Sequence, residues 1–264
     1  MRVLDLVPIS WQSKLWEALD RWITSRGYVS FDIHKHYAED GLFSLHDAGF
    51  RRDPKFIEAY QRGVRASDGV DPRFAWRVHV ALWTASTAMR VPGAFVECGV
   101  NAGFVSSAIM HYLDWNHAPR KYFLVDTFSG PVREQFSAEE ERVGRIAVIE
   151  EMKAAGAYVT DLDRVKSNFA EWPNAVVVEG VIPEVLSALD TGPVAFLHID
   201  LNCAYPERAA LDHFWDLMSP GGIILLDDYA YQGMECQKRS ADQWARERRV
   251  PVLALPTGQG LMIR

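Results

Sequence analysis

The sequence predicts an α/β fold, built on a mostly parallel sheet that ends in an antiparallel strand, and three observations carry that prediction. From Val91 onward, short apolar runs closing on an acid or a glycine alternate with helical stretches, the pattern of a parallel sheet covered on both faces. The first run, Ala94–Cys98, passes through Gly99 and Gly103 into a helix reaching Trp115. At the far end, Val252–Leu255 and Leu261–Ile263 are separated only by Pro256-Thr257-Gly258-Gln259-Gly260. That connection is too short for a parallel crossover, so the two strands form an antiparallel hairpin.

The elements follow in order. Trp11, Leu15, Trp16, Leu19, Trp22 and Ile23 recur at helical spacing and give one amphipathic helix. Phe56–Gly63 and Arg73–Met89 suggest two more, the latter with Trp76, Val80, Trp83 and Thr87 on one face. Residues 1–90 therefore read as a helical extension, and 91–264 as the main domain. Between the first two helices lie residues 34–41 and Ser44-Leu45-His46-Asp47, polar and equipped to touch a ligand or to form a plain surface loop. In the main domain, strand Tyr122–Val125 closes on Asp126, and the polar insertion 127–157 reads as a helical lid or solvated face. Then come helix Tyr158–Trp172, strand Ala175–Val178, short helix Pro183–Leu189, strand Val194–Ile199, helix Pro206–Met218, strand Ile223–Leu226 and helix Glu235–Arg248.

A net charge of −7 without a basic stripe argues against a nucleic-acid partner, because phosphate binding needs clustered Lys and Arg. Cys98, Cys203 and Cys236 are odd in number and lack metal-ligand spacing, which fits reduced thiols. The N-terminus shows no secretory pattern, and no apolar stretch approaches the roughly 20 residues that span a bilayer. The expectation is a cytoplasmic protein with no membrane partner.

In open α/β sheets, ligands sit beyond the carboxyl ends of the strands, near the point where strand order reverses. Glu97 stands at the first such end, immediately before the Gly99 turn. A carboxylate there repels a pyrophosphate and suits a ligand carrying an ammonium group. The spacing also departs from G-x-G-x-x-G, so this is no nicotinamide fingerprint. Asp126 sits where an acid commonly accepts hydrogen bonds from ribose hydroxyls, or else caps the turn Thr127-Phe128-Ser129-Gly130. Three more acids, Asp200, Asp227 and Asp228, emerge at later strand ends. Carboxylates gathered so closely repel one another unless a hard divalent cation or a basic side chain compensates them. His198 and Asn202 fall on the same side as Asp200. His198 is either a base or substrate contact, or a buried structural histidine.

Taken together, Glu97-Cys-Gly-Val-Asn-Ala-Gly103, Asp126-Thr-Phe-Ser-Gly130, the segment from His198 to Glu207, and Pro220-Gly-Gly-Ile-Ile-Leu-Leu-Asp-Asp-Tyr229 resemble the macrocin O-methyltransferase (TylF-type) family. The resemblance covers about residues 90–264, and it implies that the helical extension of residues 1–90 is a substrate cover. It implies a seven-stranded, Rossmann-like class I methyltransferase sheet with S-adenosylmethionine as methyl donor. The donor contacts it implies are Glu97, Gly99, Gly103, Asp126, Thr127, Phe128 and Asp200. It further implies Mg²⁺ or another hard divalent cation on Asp200, Asp227 and Asp228, a small hydroxylated substrate such as a sugar or glycosylated natural product, and a homodimer. One departure matters: the family often has Asp-Gly-Asp where this chain has Asp200-Leu201-Asn202. Asn202 cannot usefully accept a proton, so the base is left to water, His198 or a residue of the 34–47 segment. The same departure leaves open a catalytically silent or regulatory S-adenosylmethionine-binding protein. An oxidoreductase using a nicotinamide cofactor is disfavoured by Glu97 and the terminal hairpin.

Overall fold

The computed structural model describes Arg26 and residues 37–264; the expected helix from Trp11 to Ile23 and the first residues of the polar segment, His34–His36, lie outside the described residues. The chain divides into two compact units at Asp47 and Ala48. In the first, strand β1 (Tyr37–Glu39) pairs antiparallel with β2 (Leu42–Ser44). Asp40 and Gly41 turn between them with φ of 52° and 72°. An Asp-Gly pair at positive φ is the preferred two-residue hairpin turn, and it makes a hairpin of a segment whose composition suggests only a polar loop.

The second unit begins with helix α1 (Pro54–Ala66). Pro54 occupies its first turn, where the missing N–H costs nothing, and the Asp53 carboxylate accepts from Lys55 N at 2.9 Å. Helix α2 (Ala75–Ala88) follows. Both helices belong to the same unit as the sheet, so the compact body starts well before the boundary near residue 90 that sequence texture suggests. Close packing explains why: a Cβ on Gly63 of α1 would stand 2.5 Å from the Phe104 ring, and Tyr60 and Phe74 meet that ring edge-on.

Seven strands form the main sheet: β3 (Ala94–Cys98), β4 (Tyr122–Asp126), β5 (Ala175–Glu179), β6 (Val194–Ile199), β7 (Met218–Leu226), β8 (Leu253–Ala254) and β9 (Gly260–Ile263). Their spatial order is β5-β4-β3-β6-β7-β9-β8. Strands β3 to β7 run parallel, while β9 is antiparallel to both β7 and β8. The expected terminal hairpin is therefore present, with its second strand inserted beside β7. Strand order reverses between β3 and β6, which opens a crevice at their carboxyl ends.

Phe95, Val96, Leu124, Val125, Leu197, Ile199, Ile224 and Leu225 are buried, as expected when helices cover both faces of a parallel sheet. Each such side chain contributes about 1.5–3 kcal/mol on leaving water. Helix α3 (Phe104–Tyr112) follows β3. The insertion after β4 holds two helices, α4 (Ala138–Arg142) and α5 (Arg145–Ala154), and α6 (Leu162–Phe169) is shorter than its sequence periodicity suggests. The expected helix around 183–189 is a single 3₁₀ turn, Glu184–Ala188. Helices α7 (Ala204–Phe214) and α8 (Glu235–Arg248) complete the unit. No helix among the described residues is long and apolar enough to cross a membrane.

Candidate active site at the strand-order reversal

A cleft open to solvent lies at the switch point. Gly99, Asn101, Asp126 and Thr127 line one side, Asp200, Leu201 and Asn202 the other, and Tyr158 lines it from the insertion. The turn after β3 is possible only with glycine. Gly99 has φ +92°, and a Cβ there would stand 1.7 Å from the Asp200 carbonyl oxygen. Its missing side chain thus lets the ends of β3 and β6 meet. Gly103 has φ +84° and abuts the Phe169 ring, where a Cβ would come within 2.4 Å. It lets the start of α3 pack closely on α6 and stands outside the cleft lining.

Asp126 performs the capping role. Its Oδ2 accepts from Val100 N at 2.6 Å and Asn101 N at 2.8 Å, and its Oδ1 accepts from Phe128 N at 2.7 Å and Thr127 Oγ1 at 3.4 Å. A carboxylate offers about four lone-pair sites; three backbone amides fill three of them, while the Thr127 hydroxyl has its shorter bond, 2.9 Å, to the Gly130 carbonyl. Asp126 ties the glycine turn to β4 while lining the cleft. Phe128 is buried beneath this turn, while Thr127 reaches the cleft.

Glu97 and His198 face each other across β3 and β6. Both are buried, at 2% and 0% exposure, and His198 Nδ1 lies 2.9 Å from Glu97 Oε1. His198 Nε2 points to Asp227 Oδ1 at 3.5 Å. Burial alone would push the imidazole down, but the hydrogen bonds and charges of Asp227 and Glu97 outweigh it and raise its pKa to about 10. An imidazolium held between two carboxylates is no general base at neutral pH. Glu97 lies beneath the cleft as the counter-ion of His198.

The three later acids do converge. Asp200, Asp227 and Asp228 each present an oxygen within 4.8 Å of the others. Burial, then the charges of Asp227 and Asp228, pushes Asp200 well above the usual carboxylate range. Asp228 rises to about 6, through burial and Asp227. Asp227 goes the other way: burial would raise it, but Arg77, His198 and Gln259 hold it low. An all-oxygen set with excess negative charge fits a hard divalent cation. Asn202, at φ +59°, folds back so that its Nδ2 donates to Asp200 Oδ1 at 3.2 Å. It orients an acid and takes no proton.

Three participants escape sequence reasoning. Arg77, in the first turn of α2, donates through Nη1 to Asp227 Oδ2 and to Asp228 Oδ1, the latter at 3.4 Å. Its guanidinium also lies over Tyr231, 4.7 Å from the ring centroid. Nothing in sequence links a helix before the first sheet strand to acids so far along the chain. Glu207, in the first turn of α7, is buried with Oε1 lacking a hydrogen-bond partner; burial, Asp228 and Asp200 push it well up. Its place in the His198–Glu207 segment was the available signal. Arg145, opening α5, is buried with Nε and Nη2 lacking partners, and its charge is felt at Tyr158 and Asp228. Tyr229 bonds Asp242 and packs in the core, and Tyr205 is exposed.

An open α/β sheet of this strand order, with an acidic cleft at its reversal, defines the class I methyltransferase architecture. The sequence profile of a family described as a methyltransferase domain matches residues 96–229, half of the chain, and the chain belongs to that family. A Streptomyces olivaceus enzyme, 8-demethyl-8-(2,3-dimethoxy-alpha-L-rhamnosyl)-tetracenomycin-C 4'-O-methyltransferase, is 28% identical over 146 residues, covering 53% of this chain and 54% of that one. The chain thus matches about half the length of that curated relative. Among solved structures, the O-methyltransferase NovP superposes with a TM-score of 0.62 at 17% identity, covering 78% of this chain and 88% of its own. CalS11, a calicheamicin methyltransferase, gives 0.53 at 16% identity over 89% and 97%. These two likenesses are of fold.

Proposed function

We propose that the chain is an S-adenosylmethionine-dependent O-methyltransferase acting on a hydroxyl of a small glycosylated molecule, within or close to the macrocin O-methyltransferase group. Membership of a methyltransferase family supports the reaction, and the rhamnosyl-tetracenomycin relative supports the acceptor class. The single observation that carries the reading is the cleft itself, set between Gly99 and Asp200 where strand order reverses. Asp200 is the cleft-lining acid able to meet the donor's ammonium group, with Glu97 acting beneath it through His198. Thr127 and the turn that Asp126 holds face the nucleoside. Methyl transfer is an in-line displacement on the sulfonium carbon, so orientation of hydroxyl and donor supplies much of the acceleration.

Asp200, Asp227 and Asp228 would hold Mg²⁺ or another hard divalent cation. When bound, such an ion would lower the pKa of a coordinated hydroxyl. Asn202 would fix the Asp200 carboxylate, and water would take the hydroxyl proton in place of the acid that Asn202 replaces.

Isothermal titration with S-adenosylmethionine, together with mass spectrometry of rhamnosylated and other sugar acceptors, tests the proposal. Donor binding and a mass gain of one methyl group in place of hydrogen are expected, and loss of turnover in excess chelator is expected if metal assists. Donor binding with no transfer to any acceptor would favour a silent or regulatory binding protein, the reading that Asn202 motivates. Tight uptake of a nicotinamide dinucleotide with the methyl donor ignored would overturn the assignment.

A further inference from the structure

The acid cluster already has a cation. Asp227 Oδ1 accepts from Gln259 Nε2 at 2.8 Å and faces His198, and its Oδ2 accepts from Arg77. Arg77 Nη1 also reaches Asp228 Oδ1, while Asp200 Oδ1 accepts from Asn202. The guanidinium is nearly as buried as the acids, its side chain 11% exposed against 6% and 7% for Asp227 and Asp228. It is also stacked on Tyr231. The contact is therefore built into the fold and is not a surface pairing that solvent would dissolve.

A small hard cation needs short bonds to several oxygens at once. Both oxygens of Asp227 are already engaged, Oδ1 by Gln259 and Oδ2 by Arg77, and Arg77 also holds Oδ1 of Asp228; two cations sharing buried carboxylates repel strongly at low effective dielectric. We propose that Arg77 is the resident counter-cation of this cluster, and that a divalent ion binds Asp227 and Asp228 only by displacing its guanidinium. The two are competitors for the same oxygens. Metal affinity is then set by a helix outside the acid-bearing strands. Apo protein keeps its buried acids compensated, and metal binding carries the cost of moving Arg77 off Asp227 and Tyr231. This inference rests on the three acids as a divalent-cation site and does not depend on methyl transfer.

Calorimetric titration of Mn²⁺ alone into wild type and Arg77→Gln tests it, with S-adenosylmethionine titrated separately into both. Arg77→Gln is expected to bind Mn²⁺ at least about ten-fold more tightly than wild type. Equal constants, tighter binding by wild type, or no binding by a folded Arg77→Gln would each overturn the competition. Should Arg77→Gln fail to fold, Arg77→Lys retains a cation but loses the planar fork and the ring stacking. It is expected to bind Mn²⁺ several-fold more tightly than wild type, and an unchanged constant there would overturn the proposal equally. The donor titration separates the two ideas, since failure to bind S-adenosylmethionine sinks the methyltransferase reading and leaves the Mn²⁺ comparison standing.

Discussion

His198 makes the residue-scale point, because its type and position leave a base and a buried structural histidine both open, and its surroundings favour the second. Glu97 and Asp227 flank the ring inside the sheet and hold it protonated, with a pKa raised from 6.5 to about 10. A basic group whose folded-state pKa is raised contributes stability that is complete below the unfolded value, near 6.5, and is lost as pH climbs toward about 10. Between pH 7 and 9, the melting temperature of wild type should fall, with a limiting slope of about 1.4 kcal/mol per unit for one proton. His198→Asn carries no such proton, so its melting temperature should be lower at pH 7 but flatter across this window. Parallel slopes in the two proteins would show that the ring is neutral and the ionic reading wrong. The acidic residues at strand ends were legible because apolar runs delivered them to one edge. Their charge partners were not: whether an acid meets a histidine below it or an arginine from another helix depends on packing across β3, β6, β7 and α2.

At the scale of elements, the insertion between β4 and β5 is where sequence texture was least informative and where the structure adds most. Its polarity suggested a lid without saying what holds it. Ser137 caps α4 by accepting from Glu140 N, and the Glu140 carboxylate reaches back to Ser137 N and Oγ at 2.8 and 2.7 Å. The same side chain, 1% exposed, also accepts from Ala204 N at 3.0 Å in the first turn of α7. The Ser-x-x-Glu spacing is the local signature of a capping box; the tie to α7 is long-range and invisible locally. Asn101 makes a second tie, donating to the Ala157 carbonyl and accepting from Val159 N at 2.9 and 2.8 Å. Ser137→Ala should cost about 1 kcal/mol, the ordinary worth of an N-cap. Glu140→Ala should cost about 2–4 kcal/mol, since it also strips a charge-assisted bond from the part-buried Ala204 amide. Urea denaturation of both variants decides it, and equal losses would mean that the bridge to α7 contributes nothing.

For the whole molecule, the sheet explains why fold was more legible than site. Strand alternation, the Gly99 turn and the short final connection are local features, and together they specify a parallel sheet closing on an antiparallel hairpin. The cleft is instead assembled from the ends of β3, β4 and β6 and from the insertion, and the acids beside it complete their charge balance through α2. A ligand that spans such separate pieces binds the native state and has nothing comparable to bind in the unfolded chain, so it stabilises by mass action, about 2.7 kcal/mol at a hundred times its dissociation constant. For a folding unit of roughly this size, that amounts to a rise in melting temperature of about 5–10 °C. S-adenosylmethionine at that excess should produce such a shift, a nicotinamide dinucleotide should not, and a chelator should leave the donor's shift in place because Gly99, Thr127 and the Asp200 carboxylate meet the donor directly and not through the cation. Mn²⁺ added afterwards should raise the transition further, and by a larger increment in Arg77→Gln than in wild type. A donor-induced shift that vanished with chelator would instead mean that the cation itself holds the donor, and that the acids of β6 and β7 cannot be read apart from the glycine turn of β3.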